Sequence, residues 1–367
     1  MGKKLVLVGG GHAHMVTLKN LGLFAKKGHH VTVIGPSAYH YYSGMGPGML
    51  GTTYSADDIR FATQKEVEKN GGTFLLDTAD HIDPAARTVF LESGGTVPYD
   101  VLSCNVGSYA ARTCVSEDNG DIFPVKPIET LLKSQARILE VCAAQKTVIS
   151  IVGGGPSSAE IAGNILQLTK RRGTVPPEVR IFSGRNFMGR FPEKIRNMVR
   201  SSLTKRGVHI IEGARVHDVR TGRIELDSGK KYASDIIFLA LGVKPSDIFM
   251  RSGLPTGPDG GLLVNSFLQS TAYAEIFGGG DCIYYKDNPL DKVGVYAVRE
   301  NPVLFNNLMA SLEGQPLQAF EPGGDYLLIF NLGEGIGVLH KRWLTIGGKT
   351  AFKIKDYIDR KFMKKFQ

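Results

Sequence analysis

The chain has 367 residues, of which 42% are hydrophobic and 45 are glycine, and its formal net charge is +9. This length exceeds one hydrophobic core and predicts at least two domains, and the composition is typical of an α/β protein with many tight turns. Residues 341–367 carry nine Lys or Arg and two Asp. The remaining chain is therefore close to neutral, which argues against a nucleic-acid-binding protein.

Targeting and metal-binding patterns are also missing from the sequence. No apolar run reaches the roughly 20 residues that span a bilayer, and the start MGKKLVLV leads directly into a strand without a signal peptide. The four cysteines form no C-x-x-C pair and no zinc pattern, which predicts reduced thiols and no metal site. We therefore expect a cytoplasmic protein.

The stretch KKLVLVGGGHAH at residues 3–14 predicts a buried strand, a glycine turn and the start of a helix. Apolar residues continue with helical spacing from residue 15 to residue 24. This order opens a dinucleotide-binding βαβ unit, because glycines let the backbone approach a pyrophosphate and free N–H groups at the helix start bind its charge. His14 departs from the fingerprint, where a small residue is usual.

A second copy of the pattern, TVISIVGGGPSSAEIAG, spans residues 147–163. A strand again precedes a Gly-x-Gly turn, formed by Gly153 and Gly155, and a helix again follows. Two copies in this context are unlikely to be unrelated turns. They predict two dinucleotide-binding units about one domain length apart.

The second strand of the first unit ends in Gly35-Pro36-Ser37, where an acid that binds the adenosine ribose is usual. Ser37 is therefore the candidate residue for binding the adenosine ribose in place of the acid. The next stretch, YHYYSGMGPGMLGTTY at residues 39–54, is too rich in glycine for a helix core. We expect it to lie against a flat aromatic ligand, with an ordinary loop as the alternative.

A helix at residues 56–70 and a meander of short strands then lead to YDVLSCNVGS, which returns the chain to the first sheet. The block from the second glycine motif to Gly242 repeats this order. The expected fold class is α/β, with two Rossmann-like dinucleotide-binding domains, the second inserted in the first, and a small C-terminal hairpin and helix. The expected boundaries are 1–120 and 245–322 for the first domain, 121–244 for the second and 323–367 for the C-terminal region.

The tail FKIKDYIDRKFMKKFQ begins at residue 352 and predicts a basic amphipathic helix. Ile354, Ile358, Phe362 and Phe366 are spaced four apart on one face, and lysines crowd the flanks. Such a helix attaches to anionic lipid, which suggests peripheral association with the inner face of the cytoplasmic membrane. The alternative is that the stripe docks on the protein itself or on a second subunit of an oligomer.

Together these segments resemble the pyridine nucleotide-disulfide oxidoreductase superfamily of flavoproteins. The first glycine motif, YDVLSCNVGS, IFGGGD and GVYAVRENPVLFNNL resemble its four FAD-contacting segments, and GGGPSSAE resembles its nicotinamide-dinucleotide site. Within the superfamily the chain most resembles type II NADH dehydrogenases and sulfide:quinone oxidoreductases. YYSGMGPGML, GVYAVRENPVL and KIKDYIDRKFMKKF also resemble the dehydrogenase-like module fused to some bacterial selenophosphate synthetases.

The resemblance implies FAD in the outer domain and NAD(P)H in the inserted one, with hydride transfer between them. Glu160 resembles the Glu that follows the nicotinamide motif in type II NADH dehydrogenases, and it is the candidate catalytic residue that orients the nicotinamide or relays a proton. A helix N-terminal Glu favoured by the dipole is the alternative. The candidate FAD-binding residues are Gly9, Gly11, His12, Ser37, Pro47, Asn105, Gly107, Asp281, Tyr296 and Ala297, and the candidate NAD(P)H-binding residues are Gly153, Gly155, Ser183, Arg185 and Gly242.

The residues after the strand VRIF bear on the choice of nicotinamide. NAD sites usually place an acid there, whereas an Arg accommodates a 2′-phosphate. This chain has Ser183 and Arg185, which predicts that NADPH is used at least as well as NADH.

Residue types that are missing from the segments beside the flavin limit the choice of electron acceptor. YYSGMGPGML has no cysteine, which excludes the dithiol relay of disulfide reductases, and the stretch 296–300 lacks the glutamines typical of type II dehydrogenases. A quinone-like acceptor is the leading hypothesis. A sulfide- or polysulfide-linked flavoprotein and a flavin-binding redox sensor without rapid turnover are the alternatives. Cys282 is interpreted as a small buried residue, with a redox role as its alternative.

Overall fold

The structure, a computed structural model, describes residues 2–367. In the first part of the chain the strands are β1 (Lys4–Val8), β2 (His30–Gly35), β3 (His40–Tyr41), β4 (Arg60–Phe61), β5 (Thr73–Leu76), β6 (Ala79–Asp83), β7 (Thr88–Leu91), β8 (Thr96–Pro98), β9 (Val101–Cys104) and β10 (Ser108–Ala110). The helices there are α1 (Met15–Lys19), α2 (Leu21–Lys26), α3 (Gly46–Leu50) and α4 (Thr63–Lys69).

The middle part contains the strands β11 (Val115–Glu117), β12 (Ile122–Pro124), β13 (Val148–Val152), β14 (Glu178–Phe182), β15 (His209–Ile211), β16 (Val216–Arg220), β17 (Arg223–Leu226), β18 (Lys231–Ala233), β19 (Ile236–Leu239) and β20 (Val243–Pro245). Its helices are α5 (Glu129–Cys142), α6 (Pro156–Arg172) and α7 (Glu193–Thr204). The last part contains α8 (Ile248–Arg251), β21 (Leu262–Val264), β22 (Ile276–Gly278), β23 (Ile283–Tyr285), α9 (Gly294–Glu313), β24 (Leu328–Asn331), β25 (Gly337–Lys341), β26 (Leu344–Gly348) and α10 (Lys349–Phe366).

Two five-stranded parallel sheets organise the molecule. The first has the order β22-β9-β1-β2-β5, so the chain returns to it at residues 276–278 after completing the second sheet, whose order is β12-β19-β13-β14-β15. The central strands are buried on both faces, as parallel sheets covered by helices require. This architecture confirms the predicted fold class of two Rossmann-like units, the second inserted in the first.

The connections between the two units lie side by side. β10 leaves the first unit and β20 returns to it, and these two strands pair antiparallel. The expected boundaries at 120/121 and 244/245 fall between β11 and β12 and inside β20. Strand β11, which the expected boundaries assign to the first domain, pairs with β16 in the meander of the second.

The expectation that residues 39–54 are too rich in glycine for a helix core is wrong, because this stretch contains the buried helix α3. Pro47 lies in the first turn of α3, where the missing N–H costs nothing. Gly46 and Gly48 leave no room for a Cβ beside Ile128 and Tyr54. These glycines therefore permit close packing, and close packing outweighs their weak helix propensity. The helix expected at 56–70 is likewise shorter, since a 3₁₀ turn and β4 precede α4.

The C-terminal region is an antiparallel sheet of β24, β25 and β26 with α10 packed against it. The buried face of α10 is rotated from the predicted apolar stripe. Lys355 and Asp359 are buried and Ile358 is 40% exposed, while Phe362 and Phe366 are partly buried against the core. Part of the stripe therefore docks within the chain. The buried face also contains Lys355 and Asp359, which can be buried together because they pair with each other. Within residues 2–367, no helix combines the length and the apolar composition needed to cross a bilayer.

Gly163 of α6 packs directly against the backbone of Leu332 in the turn after β24, and this contact predicts how an alanine at Gly163 changes stability. A Cβ at Gly163 would overlap the carbonyl oxygen of Leu332, so Gly163→Ala should lower the free energy of unfolding despite the better helix propensity of alanine. Gly22 in α2 is the matched control, because its Cβ would meet its nearest atom at 3.9 Å. Gly22→Ala should stabilise by up to about 1 kcal/mol. Denaturant unfolding measures both, and a stabilised Gly163→Ala would contradict the backbone contact.

Candidate active site between two glycine turns

A cleft of about 400 Å³ opens at the carboxyl edge of the first parallel sheet. β1 has β2 on one side and β9 on the other, so the strand order reverses there, and such switch points are where open α/β sheets bind ligands. None of the residues that line the cleft is a cysteine. Of the predicted residues, the cleft wall contains Gly9, Gly11, His12, Ser37, Asn105, Gly107, Asp281 and Ala297.

The first glycine turn is held by Asn105, which follows β9. Gly9 has φ +89°, and a Cβ at Gly9 or Gly11 would overlap atoms of Asn105. The Asn105 side chain accepts a hydrogen bond from the Ala13 N–H at 3.2 Å and donates one to the Gly279 carbonyl. One side chain therefore joins the turn, β9 and the Gly279 turn around the cleft.

His14, the departure from the fingerprint, has a structural role. It is fully buried, with Nδ1 at 2.6 Å from the Gly9 carbonyl oxygen and Nε2 at 2.8 Å from Ser103 Oγ. Since a carbonyl only accepts, Nδ1 donates to Gly9 and Nε2 accepts from Ser103. Burial lowers the pKa of His14 to about 4, so the ring is neutral and fixes the turn to β9.

Asp281 lies in the cleft wall beside a half-buried cation. Lys126 Nζ is 2.7 Å from Asp281 Oδ2, and Ser108 Oγ donates to the same oxygen at 2.7 Å. Burial opposes ionisation, but Lys126 and Ser108 together hold the pKa of Asp281 below its ordinary value. Lys126 thus belongs to the charged part of the wall.

Two histidines form another part of the wall. His12 Nδ1 and His40 Nε2 are 3.0 Å apart, and the His12 ring stacks on Phe362 of α10 at 5.9 Å between centroids. Burial lowers the pKa of both rings, and the charge of Lys126 adds to this effect. His12 Nε2 is buried and has no hydrogen-bond partner within residues 2–367.

Two of the predicted FAD-binding residues lie away from the cleft wall. Pro47 is buried in α3, and Tyr296 lines a small neighbouring cavity together with Glu300. Burial raises the pKa of Glu300 to about 7, although the Gly280 N–H donates to its carboxylate. Cys282 is also buried, which raises its pKa to about 12 and keeps the thiol protonated. A redox role for Cys282 has no support in this environment.

The second glycine turn lies at the carboxyl edge of the second parallel sheet. Gly153 has φ +137°, and a Cβ there would overlap the Ala240 carbonyl oxygen. Gly155 and Gly242, in contrast, face open space, since a Cβ added to either would have no atom within 4 Å. Ser183 is buried against Gly154.

Arg185 is exposed just beyond this turn. Ser183 Oγ donates to the Arg185 carbonyl at 3.0 Å, and the chain folds back so that the Met188 N–H donates to the Gly154 carbonyl at 2.7 Å. The Arg185 side chain enters no salt bridge within residues 2–367. It is therefore available to an anionic ligand near the glycine turn.

Glu160 lies in α6 beyond the first turn, so the helix-dipole interpretation does not account for it. Its Oε1 accepts the Asn331 N–H at 2.8 Å. Burial raises the pKa of Glu160 to about 7, and the nearby charge of Lys355 limits this increase. Lys355 donates to the Gly44 carbonyl and to Asp359, both at 2.8 Å.

Hydrogen bonds join this group of side chains to the segment that lines the cleft. Tyr42 donates to Asp359 at 3.2 Å, and its neighbours Tyr41 and Ser43 line the cleft. We call Glu160, Lys355 and Asp359 the buried charge cluster. It joins the inserted unit, α10 and the first unit at one place, and sequence reasoning identified only Glu160.

Comparisons with known proteins agree with this geometry. The family model for pyridine nucleotide-disulphide oxidoreductase matches residues 3–302. The chain belongs to this family. FAD and NAD(P)H are therefore its cofactors, as predicted, and it is a flavin-dependent NAD(P)H dehydrogenase.

Relatives and solved structures place the chain among flavoprotein oxidoreductases. It is 23% identical to the type II NADH:quinone oxidoreductase of Staphylococcus saprophyticus over 383 residues, covering 97% of this chain and 94% of that one. It is 25% identical to ferroptosis suppressor protein 1 of Taeniopygia guttata, covering 73% and 71%. The sulfide:quinone oxidoreductase structure from Aquifex aeolicus superposes with a TM-score of 0.81 at 19% identity, covering 100% of this chain and 91% of that one, which shows the shared fold.

The residues present fit the two cofactors. Each parallel sheet ends in a glycine turn whose residues carry no side chain of their own, and such turns let a pyrophosphate approach the backbone. At the first turn the wall adds a buried carboxylate, Asp281, and the unpartnered His12 Nε2. At the second, Arg185 adds an exposed cation.

The two glycines of the second turn should respond differently to alanine. Gly153→Ala should destabilise the protein because of its φ value and the overlap with Ala240. Gly155→Ala should keep its thermal stability, because the added methyl meets open space, yet weaken NAD(P)H binding about tenfold or more by keeping the pyrophosphate from the backbone. Thermal unfolding and a nucleotide titration separate the two effects. Unchanged affinity in Gly155→Ala would exclude this turn as the nucleotide site.

Proposed function

We propose that this protein oxidises NAD(P)H at its flavin and passes the electrons to a quinone-like acceptor. The observation that carries the proposal is the cleft wall, which combines a glycine turn and a buried carboxylate but contains no cysteine. Electrons therefore have no dithiol to pass through and must leave to a separate acceptor molecule. The similarity to a type II NADH:quinone oxidoreductase along almost the whole chain supports a quinone.

The chain's own residues position and neutralise the cofactors. Bound FAD supplies hydride acceptance from NAD(P)H and electron transfer to the acceptor. We assign Gly9, Gly11 and Asn105 to the FAD pyrophosphate turn, since their backbone approach leaves no room for larger side chains. Asp281 would accept hydrogen bonds from hydroxyl groups of the cofactor, and Lys126 balances the charge of Asp281. Gly153, Gly155, Gly242, Ser183 and Arg185 form the NAD(P)H site.

The buried charge cluster supplies the proton that the reaction still needs. Reducing a quinone to a quinol takes two electrons and two protons, and a hydride brings both electrons with one proton. Glu160 is a suitable donor of the second, because its pKa of about 7 leaves it partly protonated near neutral pH. Tyr42 donates to Asp359 and Lys355 donates to Gly44, so both residues join the cluster to the segment that lines the cleft, and the charge of Lys355 acts on Glu160.

Sulfide- or polysulfide-linked chemistry receives no support from the thiols. Cys104 and Cys282 are fully buried, and burial raises the pKa of each, so neither presents a thiolate to the cleft. A redox sensor differs from an enzyme only in turnover. The kinetic experiments below decide between these two roles.

We also propose peripheral attachment of the C-terminal region to the cytoplasmic face of a membrane. The outer face of α10 carries Lys353, Arg360, Lys361 and Lys364, all exposed, and this basic face supports attachment to anionic lipid. The apolar stripe contributes less, because Phe362 and Phe366 are partly buried against the core and Ile358 is 40% exposed. Self-association remains the alternative use of this face.

Glu160→Gln should separate the two half-reactions. The rate of flavin reduction by NAD(P)H should change little. The rate of quinone reduction should fall roughly 100-fold, because a positioned proton donor contributes a factor of this size. In the unsubstituted protein the quinone step should slow as the pH rises through about 7, since the donor loses its proton, and the variant should lose this pH dependence.

Glu193→Gln is the matched control, because Glu193 is an exposed Glu in the first turn of α7. It should leave both half-reactions and the pH profile unchanged. Stopped-flow absorbance of the flavin measures each half-reaction. A pH dependence that persists in Glu160→Gln would assign the proton to another group.

Anaerobic stopped-flow reduction with NADH and NADPH tests the function and the nicotinamide choice together. The yellow protein should bleach rapidly with either donor, at least as fast with NADPH, and recover its colour on mixing with a soluble quinone. Arg185→Ala should weaken NADPH use about tenfold to 100-fold through loss of a charge-assisted contact and leave NADH use nearly unchanged. Slow bleaching with both donors would indicate a sensor, and a preference for NADH would exclude Arg185 as the 2′-phosphate ligand.

A further inference from the structure

The tip of the hairpin formed by β25 and β26 is an unusual surface. Its residues Lys341, Arg342, Trp343 and Leu344 are all exposed, and we call this segment the hairpin tip. Trp343 is the single tryptophan of the chain and is 86% exposed. Tryptophan is an aromatic residue that is usually highly buried, so exposure of the whole ring indicates a surface that a partner covers.

Contacts place the hairpin tip near the wall of the cleft. Arg342 Nε lies 3.3 Å from Asp325 Oδ2, and the adjacent Tyr326 ring packs edge-on against Tyr296 at 5.6 Å between centroids. Tyr296 lies in the first turn of α9, between Gly294 and Ala297, which line the cleft. The ion pair of Arg342 with Asp325 and the contact of Tyr326 with Tyr296 therefore link the hairpin tip to the first turn of α9, which forms part of the cleft wall.

Composition and charge indicate what covers the tip. Trp343 and Leu344 supply an amphipathic ring and an aliphatic group, and Lys341 and Arg342 flank them with positive charge. Trp is enriched where one end of a side chain meets apolar tails and the other meets water. The tip also begins the segment 341–367, whose nine basic and two acidic residues hold most of the chain's net charge of +9. These features are complementary to an anionic phospholipid surface.

We propose that the hairpin tip inserts Trp343 and Leu344 into the headgroup region of an anionic bilayer and so turns the α9 side of the cleft towards the membrane. This inference rests on the proposed function in one respect, since a lipid-soluble acceptor would then reach the cleft directly from the bilayer. It differs from attachment through α10, because the apolar contribution comes from the hairpin. The basic face of α10 adds electrostatic attraction only.

Trp343 reports its own environment, because no other tryptophan contributes to the emission. With the full-length flavoprotein, vesicles that contain phosphatidylglycerol should shift the tryptophan emission to shorter wavelength. Vesicles of phosphatidylcholine alone should not, and high salt should reverse the shift. Vesicles that contain brominated phosphatidylglycerol should also quench the emission.

Variants extend the test to affinity, measured by vesicle co-sedimentation. Trp343→Ala should weaken binding at least about tenfold through loss of apolar burial, and Lys341→Ala about fivefold. Met250→Ala is the matched control, because Met250 is an apolar residue that is 65% exposed in α8, and its binding should be unchanged. Thermal unfolding should be the same for all of them, since these side chains are exposed.

Several results would overturn the proposal. Vesicle binding without an emission shift, or equal binding by Trp343→Ala, would mean that another surface meets the lipid. An emission shift with rising protein concentration and no vesicles would assign the tip to contact between two copies of the chain. Reduction of a soluble quinone is measured separately. If the unsubstituted protein reduces the quinone but does not bind anionic vesicles, this inference alone is refuted. If it binds the vesicles but does not reduce the quinone, the proposed function alone is refuted.

Discussion

Close backbone approach at the two glycine turns is the constraint on which both dinucleotide sites depend. At Gly9 and Gly153 the chain turns with positive φ, directly against the carbonyl of a neighbouring strand end. No side chain fits between them, and the helix that follows each turn presents its first N–H groups at the sheet edge. The architecture thus repeats one backbone arrangement at two places, and the residues around the two turns differ.

Buried charges distinguish the surroundings of the first site. A buried ion pair adds little net stability, because desolvation offsets the attraction between the charges, so its retention calls for another explanation. Lys126 and Asp281 form a partly exposed pair in the cleft wall, and in our proposal this pair orients polar groups of the cofactor. Lys355 and Asp359 form a buried pair, and there the explanation is proximity to Glu160, whose proton affinity they adjust.

Local sequence patterns were sufficient to predict the two strand–turn–helix units but not the contacts between side chains in the candidate site. The strand, glycine turn and helix at residues 3–14 and 147–163 need only neighbouring residues to be recognised, and the structure contains both. The partner of His14 is Ser103, 89 positions away, so no local pattern indicates that His14 fastens the turn. Helical spacing correctly predicted α10, but hydrophobicity alone placed its inner face wrongly.

The error in α10 has a physical cause that applies to other buried polar residues. Periodicity arguments treat Lys and Asp as solvent-facing, whereas an i, i+4 pair that neutralises itself can occupy an inner face when further partners satisfy it. Lys355 and Asp359 have such partners in Gly44 and Tyr42. Those partners lie more than 300 positions earlier in the chain, and only the folded molecule brings them together.

The C-terminal region therefore does more than cover the two nucleotide-binding units. Through Phe362 it packs on His12 in the cleft wall, and through Asn331 and Lys355 it contacts or faces Glu160 of the inserted unit. An acceptor that approaches the flavin beside α10 would meet groups from all three parts of the chain at once. Electron transfer at the cleft and the proposed proton supply from α6 would then be linked by one helix, which is held by the buried Lys355–Asp359 pair together with the packing of Phe362 and Phe366.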